Sequence, residues 1–180
     1  PLSHGAGIHQ LVQTARACMT VLPESRSLDG EEIWRLIKEW RVSTMFTVPT
    51  ILRLLVEHPA VDRYDHSSLC HVIYAGAPMY RADQRYALEK LGPVLVQYYG
   101  LGEVTGNITV LPPHLHRLDG DGEENGAIGT CGLERTGMQV SIQDAEGREL
   151  PHGETGEICV CGPAVFAGYY NNPEANAASF

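Results

Sequence analysis

Clusters of basic residues are missing from this chain. Only 13 Lys and Arg stand against 22 Asp and Glu, and the formal net charge is −9. Such a surface offers little to the phosphates of a nucleic acid or an anionic membrane, which argues against both as partners. Long apolar runs are missing too. None approaches the length of a membrane span, and the first residues lack the pattern of a signal peptide. The cysteines number five, scattered at positions 18, 70, 131, 159 and 161. An odd, dispersed set favours reduced thiols in a cytoplasmic protein over a disulfide framework. No internal repeat is visible. The chain opens at Pro1 without Met and stops at Phe180 soon after a glycine-rich stretch, so it is expected to be a piece of a longer protein.

What is present is ordinary for a globular protein: 180 residues, 43% hydrophobic and 19% charged. Ile8, Leu11, Val12, Ala15 and Cys18 recur at helical spacing and predict a helix over 7–18. Met19–Leu22 reads as a short strand. Asp29 and Glu32 resemble a capping box ahead of Ile33, Leu36, Ile37 and Trp40. Val42–Val48, Leu69–Ala75 and Val94–Tyr98 read as buried strands. Between them lie a helix opened by Pro49 and another over 80–91. This alternation predicts an α/β fold over 1–112, part of a doubly wound parallel sheet with helices on both faces. An acidic linker loop follows over 113–125. A small β-rich segment, part of a barrel, is expected over 126–180, with strands at 126–130, Met138–Asp144, Glu157–Cys161 and Ala164–Tyr169 and a hairpin turn at Ala145–Arg148.

In parallel sheets of this kind ligands bind beyond the carboxyl ends of the strands. Those ends read Thr47-Val48-Pro49, Ala75-Gly76-Ala77-Pro78 and Tyr98-Tyr99-Gly100-Leu101-Gly102-Glu103. The last allows two readings. One is a strand ending in a glycine-rich turn with a solvated Glu. The other is a nucleotide cradle, with an aromatic face for a base, backbone amides near phosphate and a carboxylate for Mg2+. It is not a Walker loop, because no Gly-Lys-Ser/Thr follows, and no Gly-x-Gly-x-x-Gly opens a helix here.

Taken together and in order, several segments resemble the adenylate-forming superfamily of acyl-CoA synthetases, luciferases and peptide-synthetase adenylation domains. Tyr74-Ala75-Gly76-Ala77-Pro78-Met79 resembles its adenine-contacting loop. Gln97-Tyr98-Tyr99-Gly100-Leu101-Gly102-Glu103 resembles its Tyr-Gly-x-Thr-Glu motif. Gly153–Gly168 with Tyr169-Tyr170-Asn171-Asn172-Pro173-Glu174 resembles its later Gly-Glu … Gly-Tyr … Pro-Glu segment. Pro1-Leu2-Ser3-His4 with Gly7 resembles the stretch bordering its acyl pocket. The Gly-Ala-Pro form at 76–78 is more like acyl-CoA synthetases than amino-acid-activating domains, which usually carry Gly-Gly-Glu there.

The resemblance implies a two-step ligase: ATP and a carboxylic acid give an acyl-adenylate and pyrophosphate, and a thiol, usually that of CoA, then takes the acyl group. It implies that Gly76, Ala77 and Pro78 line the adenine site and that Tyr99 packs on the base. Gly100, Leu101 and Gly102 would lie near the phosphates, Glu103 would be the catalytic ligand of Mg2+, and His4 and Tyr98 would border the acyl pocket. It also implies parts outside this chain: a phosphate loop with its Lys, a ribose-binding Asp, and a C-terminal domain with the catalytic Lys. Gly102 departs from the pattern, standing where the family usually has Thr, and a lost hydroxyl contact is worth on the order of 1 kcal/mol. Thr105 is not expected to replace it. That departure keeps open a non-catalytic homologue that only binds nucleotide or acyl ligand, and amino-acid activation is a further alternative.

Weaker signals have plain explanations. Cys159 and Cys161 have no second Cys pair to complete a metal site, and His114-x-His116 is read as a solvated loop. Asp119-x-Asp121 has calcium-loop spacing, but Glu124 stands where Gly is needed. Trp34 and Trp40 are read as core and rim, and Glu31, Glu32, Arg35, Lys38 and Glu39 as a solvated helix face. The isolated 180 residues are expected not to catalyse adenylation. Acid-dependent pyrophosphate–ATP exchange by this chain alone would overturn that expectation.

Overall fold

A computed structural model describes residues 2–116 and 127–180. The acidic stretch Asp119–Asn125, with its calcium-like spacing, lies outside the described residues. The chain forms two compact units. The first comprises residues 1–98 and 111–132, and the second residues 99–110 and 133–180.

The first unit holds α1 (Gly5–Ala15), α2 (Gly30–Trp40), β1 (Thr44–Thr47), α3 (Pro49–Glu57), β2 (His71–Tyr74), α4 (Arg81–Leu91) and the start of β3 (Leu95–Leu101). β1, β2 and β3 are parallel, in register Thr47↔Tyr74 and Tyr74↔Gln97. β-Alternation splits their side chains between two faces. Val72, Tyr74 and Leu95 join Trp34 and Ile37 of α2, Leu52, Leu55 and Val56 of α3, and Ala87, Leu88 and Leu91 of α4 in one core. On the opposite face α1 lays His9 over Phe46 and Tyr98, with ring centroids 4.9 and 5.4 Å apart. Helices therefore cover both faces, as the alternation of elements predicted.

A buried hydroxyl organises the far side of this unit. Tyr74 is fully buried, and its phenol accepts from Gln84 Nε2 at 3.0 Å. Its single proton is shared between His116 Nε2 at 3.0 Å and Gln97 Oε1 at 3.1 Å. His116 Nδ1 faces the Pro112 carbonyl at 3.1 Å. A carbonyl can only accept, so Nδ1 carries the ring proton and Nε2 accepts from Tyr74. Gln84 Oε1 accepts the Gly129 amide at 2.8 Å. These bonds fasten His116 to β2 and Gly129 to α4.

The second unit contains the end of β3, most of β4 (Gly106–Leu111), β5 (Leu133–Glu134), β6 (Gln139–Gln143), β7 (Glu157–Cys161) and α5 (Pro173–Ser179). The strand order is β1-β2-β3-β4-β5 in one sheet and β6-β7 in another. β4 and β5 are antiparallel, as are β6 and β7. Asp144 Oδ1 accepts the amides of Glu146 and Arg148 at 3.0 and 2.9 Å, which makes the expected turn after β6. Val104, Ile108 and Met138 form the core of this unit, with Tyr99, Val140, Val160, Ala164 and Val165 packed against them.

Several expectations change. Met19–Leu22 forms no strand; Met19 and Leu22 are exposed, and no backbone among the described residues pairs with them. Residues 127–130 are a turn closed by the Thr130 amide on the Ala127 carbonyl at 3.1 Å. Ala164–Tyr169 is irregular, because its backbone bonds go to Glu103 and Asn176 instead of a ladder. Glu32 is no solvated residue: it is buried and accepts the Glu24 and Ser25 amides at 2.7 and 3.2 Å. His116, read as part of a solvated loop, is likewise buried. The helix at 7–18 exists as α1, but it begins earlier and leaves Ile8, Leu11 and Val12 exposed. The sequence reading also passed over β4, β5 and α5.

Burial holds the His116 imidazole below its ordinary range, outweighing the opposing effect of the Pro112 carbonyl. The unfolded chain therefore takes up a proton first as pH falls below about 6.5, and the folded state loses stability until the folded pKa is passed. His9, also lowered by burial, adds to the same limb. His116→Gln is expected to flatten the stability–pH curve between about pH 7 and 5 and to cost about 1 kcal/mol at neutral pH, read by urea denaturation.

Candidate functional site

The carboxyl ends of β1 and β2 carry the first unit's candidate residues. The chain leaves the buried Tyr74 and returns inward at Met79, so Gly76, Ala77 and Pro78 are held between two anchors and exposed to solvent. Gly76 sits at φ +86°, a conformation that favours glycine. The Ala75 amide reaches the Thr47 carbonyl at 3.4 Å, which continues the β1–β2 ladder to the base of this loop. Tyr98 is half-buried in β3, and burial raises its phenol pKa. Its ring meets His9 in α1. His4, the residue the sequence singled out, is exposed at the start of α1, with Nδ1 2.8 Å from its neighbour Ser3 Oγ. His9 was missed because a lone His on a helix gives no signal of what it packs against.

The second unit carries the remainder. Tyr99 packs its half-buried ring against the Val104, Ile108 and Met138 core. A Cβ at Gly100 would lie 1.6 Å from the Gly106 carbonyl oxygen. Only glycine lets the end of β3 pass that close to the start of β4. Leu101 is 49% exposed at the end of β3. Gly102 opens a 3-10 turn over Gly102–Val104, and a Cβ there would meet nothing within 4 Å. The local backbone does not require glycine at this position. Thr105 Oγ1 donates to the Ala164 carbonyl at 2.6 Å, so its hydroxyl is already engaged, in line with the sequence reading.

Glu103 is the focus of the second unit's candidate residues. Its carbonyl accepts the Phe166 amide at 2.8 Å, and its Oε1 accepts the Tyr169 phenol at 2.8 Å. Its own backbone amide and the phenol hold the carboxyl below its usual range, against a smaller opposing effect of burial. The same contact raises the Tyr169 phenol. Tyr169 is fixed in turn. Its amide donates to Asn176 Oδ1 at 2.6 Å, Asn176 Nδ2 donates to its carbonyl at 3.1 Å, and its ring stands edge-on to Phe166 at 4.8 Å. The fold thus brings two of the sequence motifs, 97–103 and 153–174, onto one carboxylate. No sequence signal links Glu103 to Tyr169, which lie far apart along the chain.

The donor chemistry can be tested against Mg2+. Among the described residues no group of three or more His, Cys, Asp or Glu could hold a metal ion. Mg2+, however, is usually bound through one or two carboxylates together with substrate phosphates and water. A single oriented carboxylate fits a phosphate-bridging Mg2+ and does not fit a cage made by protein alone. Among the described residues, no helix is long and apolar enough to cross a membrane.

Comparison with known proteins gives a consistent result. The family model described as AMP-binding enzyme matches residues 1–170. A medium/long-chain-fatty-acid–CoA ligase of Mycobacterium tuberculosis is 33% identical over 181 residues, covering 100% of this chain and 30% of that protein. A feruloyl-CoA synthase of Amycolatopsis sp is 32% identical over 178 residues, covering 98% of this chain and 34% of its own length. Among solved structures, ATP-bound MatB from Rhodopseudomonas palustris superposes with a TM-score of 0.80 at 28% identity, over 100% of this chain and 34% of that one. The amide bond synthetase McbA from Marinactinospora thermotolerans gives 0.74 at 32% identity, over 86% of this chain and 30% of that one. This chain therefore spans only 30% and 34% of the length of these two curated relatives. With the glycine-rich strand end, the clamped Glu103 and a match over nearly every residue all pointing the same way, the chain belongs to the AMP-binding enzyme family.

Proposed function

We propose that this chain is the nucleotide- and acyl-binding part of an ATP-dependent acid–thiol ligase of the acyl-CoA synthetase type. The observation that carries the reading is Glu103: a carboxylate at the carboxyl end of a sheet strand, fixed by Tyr169 and set behind backbone that only glycine can form. In the reaction a carboxylate oxygen of the acid attacks the α-phosphorus of ATP and pyrophosphate leaves. A CoA thiolate then attacks the acyl carbon and AMP leaves. Glu103 would hold Mg2+, which would supply charge neutralisation for the departing pyrophosphate.

The chain's own residues bind and orient. Gly76, Ala77 and Pro78 offer exposed backbone to adenine, and Tyr99 offers an aromatic face. Gly100, Leu101 and Gly102 supply backbone close to the phosphates. His4 and Tyr98 border the acyl group, and the pairing of Tyr98 with His9 adds His9 to that wall. CoA is favoured as acceptor by the CoA ligases among the relatives, although one relative is named a fatty acid–[acyl-carrier-protein] ligase. The dispersed cysteines fit a cytoplasmic setting. The second reading, a homologue that binds without catalysis, is favoured by Gly102 alone.

Two substitutions in the full-length enzyme test the reading. Glu103→Gln is expected to lower acid-dependent pyrophosphate–ATP exchange at least about ten-fold, the scale of disturbing a metal's ligand set; undiminished exchange sinks the metal role. Gly102→Thr is expected to tighten ATP use by about five-fold in KM, equivalent to about 1 kcal/mol. The open space around Gly102 makes this a direct test, because no backbone shift is needed to accept the side chain.

A further inference from the structure

Three bonds join the irregular stretch 164–169 to the turn that carries Glu103, and they differ in what they fix. The Phe166 amide on the Glu103 carbonyl, at 2.8 Å, holds backbone to backbone, and the Thr105 hydroxyl on the Ala164 carbonyl, at 2.6 Å, holds a side chain to backbone. Only the Tyr169 phenol, 2.8 Å from Oε1, holds the carboxylate itself. A Glu side chain has three rotatable bonds and gains nothing from a hydrogen bond unless its donor stays still. Here the donor is braced. Asn176 grips the Tyr169 backbone through both its amide and its carbonyl, and Phe166 meets the ring edge-on. Asn172 caps the short helix that presents Asn176, accepting the Ala175 amide at 3.1 Å. The neighbouring Tyr170 is 93% exposed, so the bracing selects one of two adjacent tyrosines. The phenol and the residue's own amide take two of the carboxylate's four lone-pair positions, which leaves acceptor capacity free for a metal.

We propose that Tyr169 is a positioning residue: its phenol holds the Glu103 carboxylate in the orientation that receives the Mg2+ bound to ATP. The proposal rests on the reading of Glu103 given above and adds the residue that makes that ligand rigid. Partners of this kind, which orient a metal's ligand without touching the metal, commonly govern affinity by one to two orders of magnitude.

The test is a double-mutant cycle read on binding. ATP affinity of the full-length enzyme is measured by titration calorimetry in excess Mg2+ and again in EDTA, for wild type, Tyr169→Phe, Glu103→Gln and the double variant. Tyr169→Phe keeps the ring and leaves the Phe166–Glu103 and Thr105–Ala164 bonds in place. It is expected to weaken ATP binding about ten-fold in Mg2+ and to leave binding in EDTA unchanged. In the Glu103→Gln background it is expected to add nothing. Tyr170→Phe, at an exposed position, is the neutral control. Asn176→Ala, which leaves both partners but loosens the brace, is expected to act in the same direction and provides a second route if Tyr169→Phe does not fold. The proposal is overturned if Tyr169→Phe weakens binding equally with and without Mg2+, if it lowers only the melting temperature, or if its effect persists without the Glu103 carboxylate. Failure of wild type to bind ATP, or a Mg2+ effect untouched by Glu103→Gln, instead overturns the assignment of Glu103, and this inference with it.

Discussion

The buried hydroxyl of Tyr74 is the constraint on which the first unit's architecture depends. A phenol at zero exposure must have its hydrogen bonds satisfied or it costs stability. Its partners come from α4, from β3 and from the segment returning after β4. That return is topologically demanding. The chain leaves for the second unit at Tyr99 and comes back at Leu111, where the short 3-10 helix Pro113–Leu115 leads to His116. His116 and the Gly129 amide, each bonded to this network, hold it with polar groups in addition to the buried side chains of Leu111 and Ile128. The same anchoring sets the exposed loop at 76–78, which begins directly after Tyr74.

Glu103 answers a similar problem in the second unit by different means. Its turn has a small core of Val104 and Ile108 beneath it, and the stretch 164–169 lies on it without forming a strand. Apolar packing fixes the backbone and one phenol fixes the side chain. Burying the carboxylate would have raised its pKa and opposed metal binding. Holding it at the surface with a phenol and its own amide keeps it ionised and aimed.

How much of this was legible beforehand depended on whether the signal was local. The parallel strands, α2, α3 and α4 each carry periodicity and end signals within a dozen residues, and their existence and order were readable. The capping box was half right. Asp29 accepts the Glu32 amide, but the Glu32 side chain turns to Glu24 and Ser25. Met19–Leu22 failed because an apolar run becomes a strand only if a neighbour pairs with it. The Leu133–Glu134 strand was missed because two residues have no pattern, and only its pairing with Thr109 and Val110 makes it a strand. In the site, Glu103 and its glycines stood out in a single stretch. The roles of Tyr169, Asn176 and His9 depend on contacts between distant positions and left no mark in the sequence.

The approach of Gly100 to the Gly106 carbonyl has a consequence for how such sequences can vary. Every missense change at that codon adds a Cβ to the space the carbonyl already fills, so no graded series of milder replacements exists. Two positions away, Gly102 borders open space and can accept substitution freely. Within one short segment, mutational tolerance therefore switches from none to ample. The chain can thus vary at one glycine while the other stays fixed by the path of its own backbone.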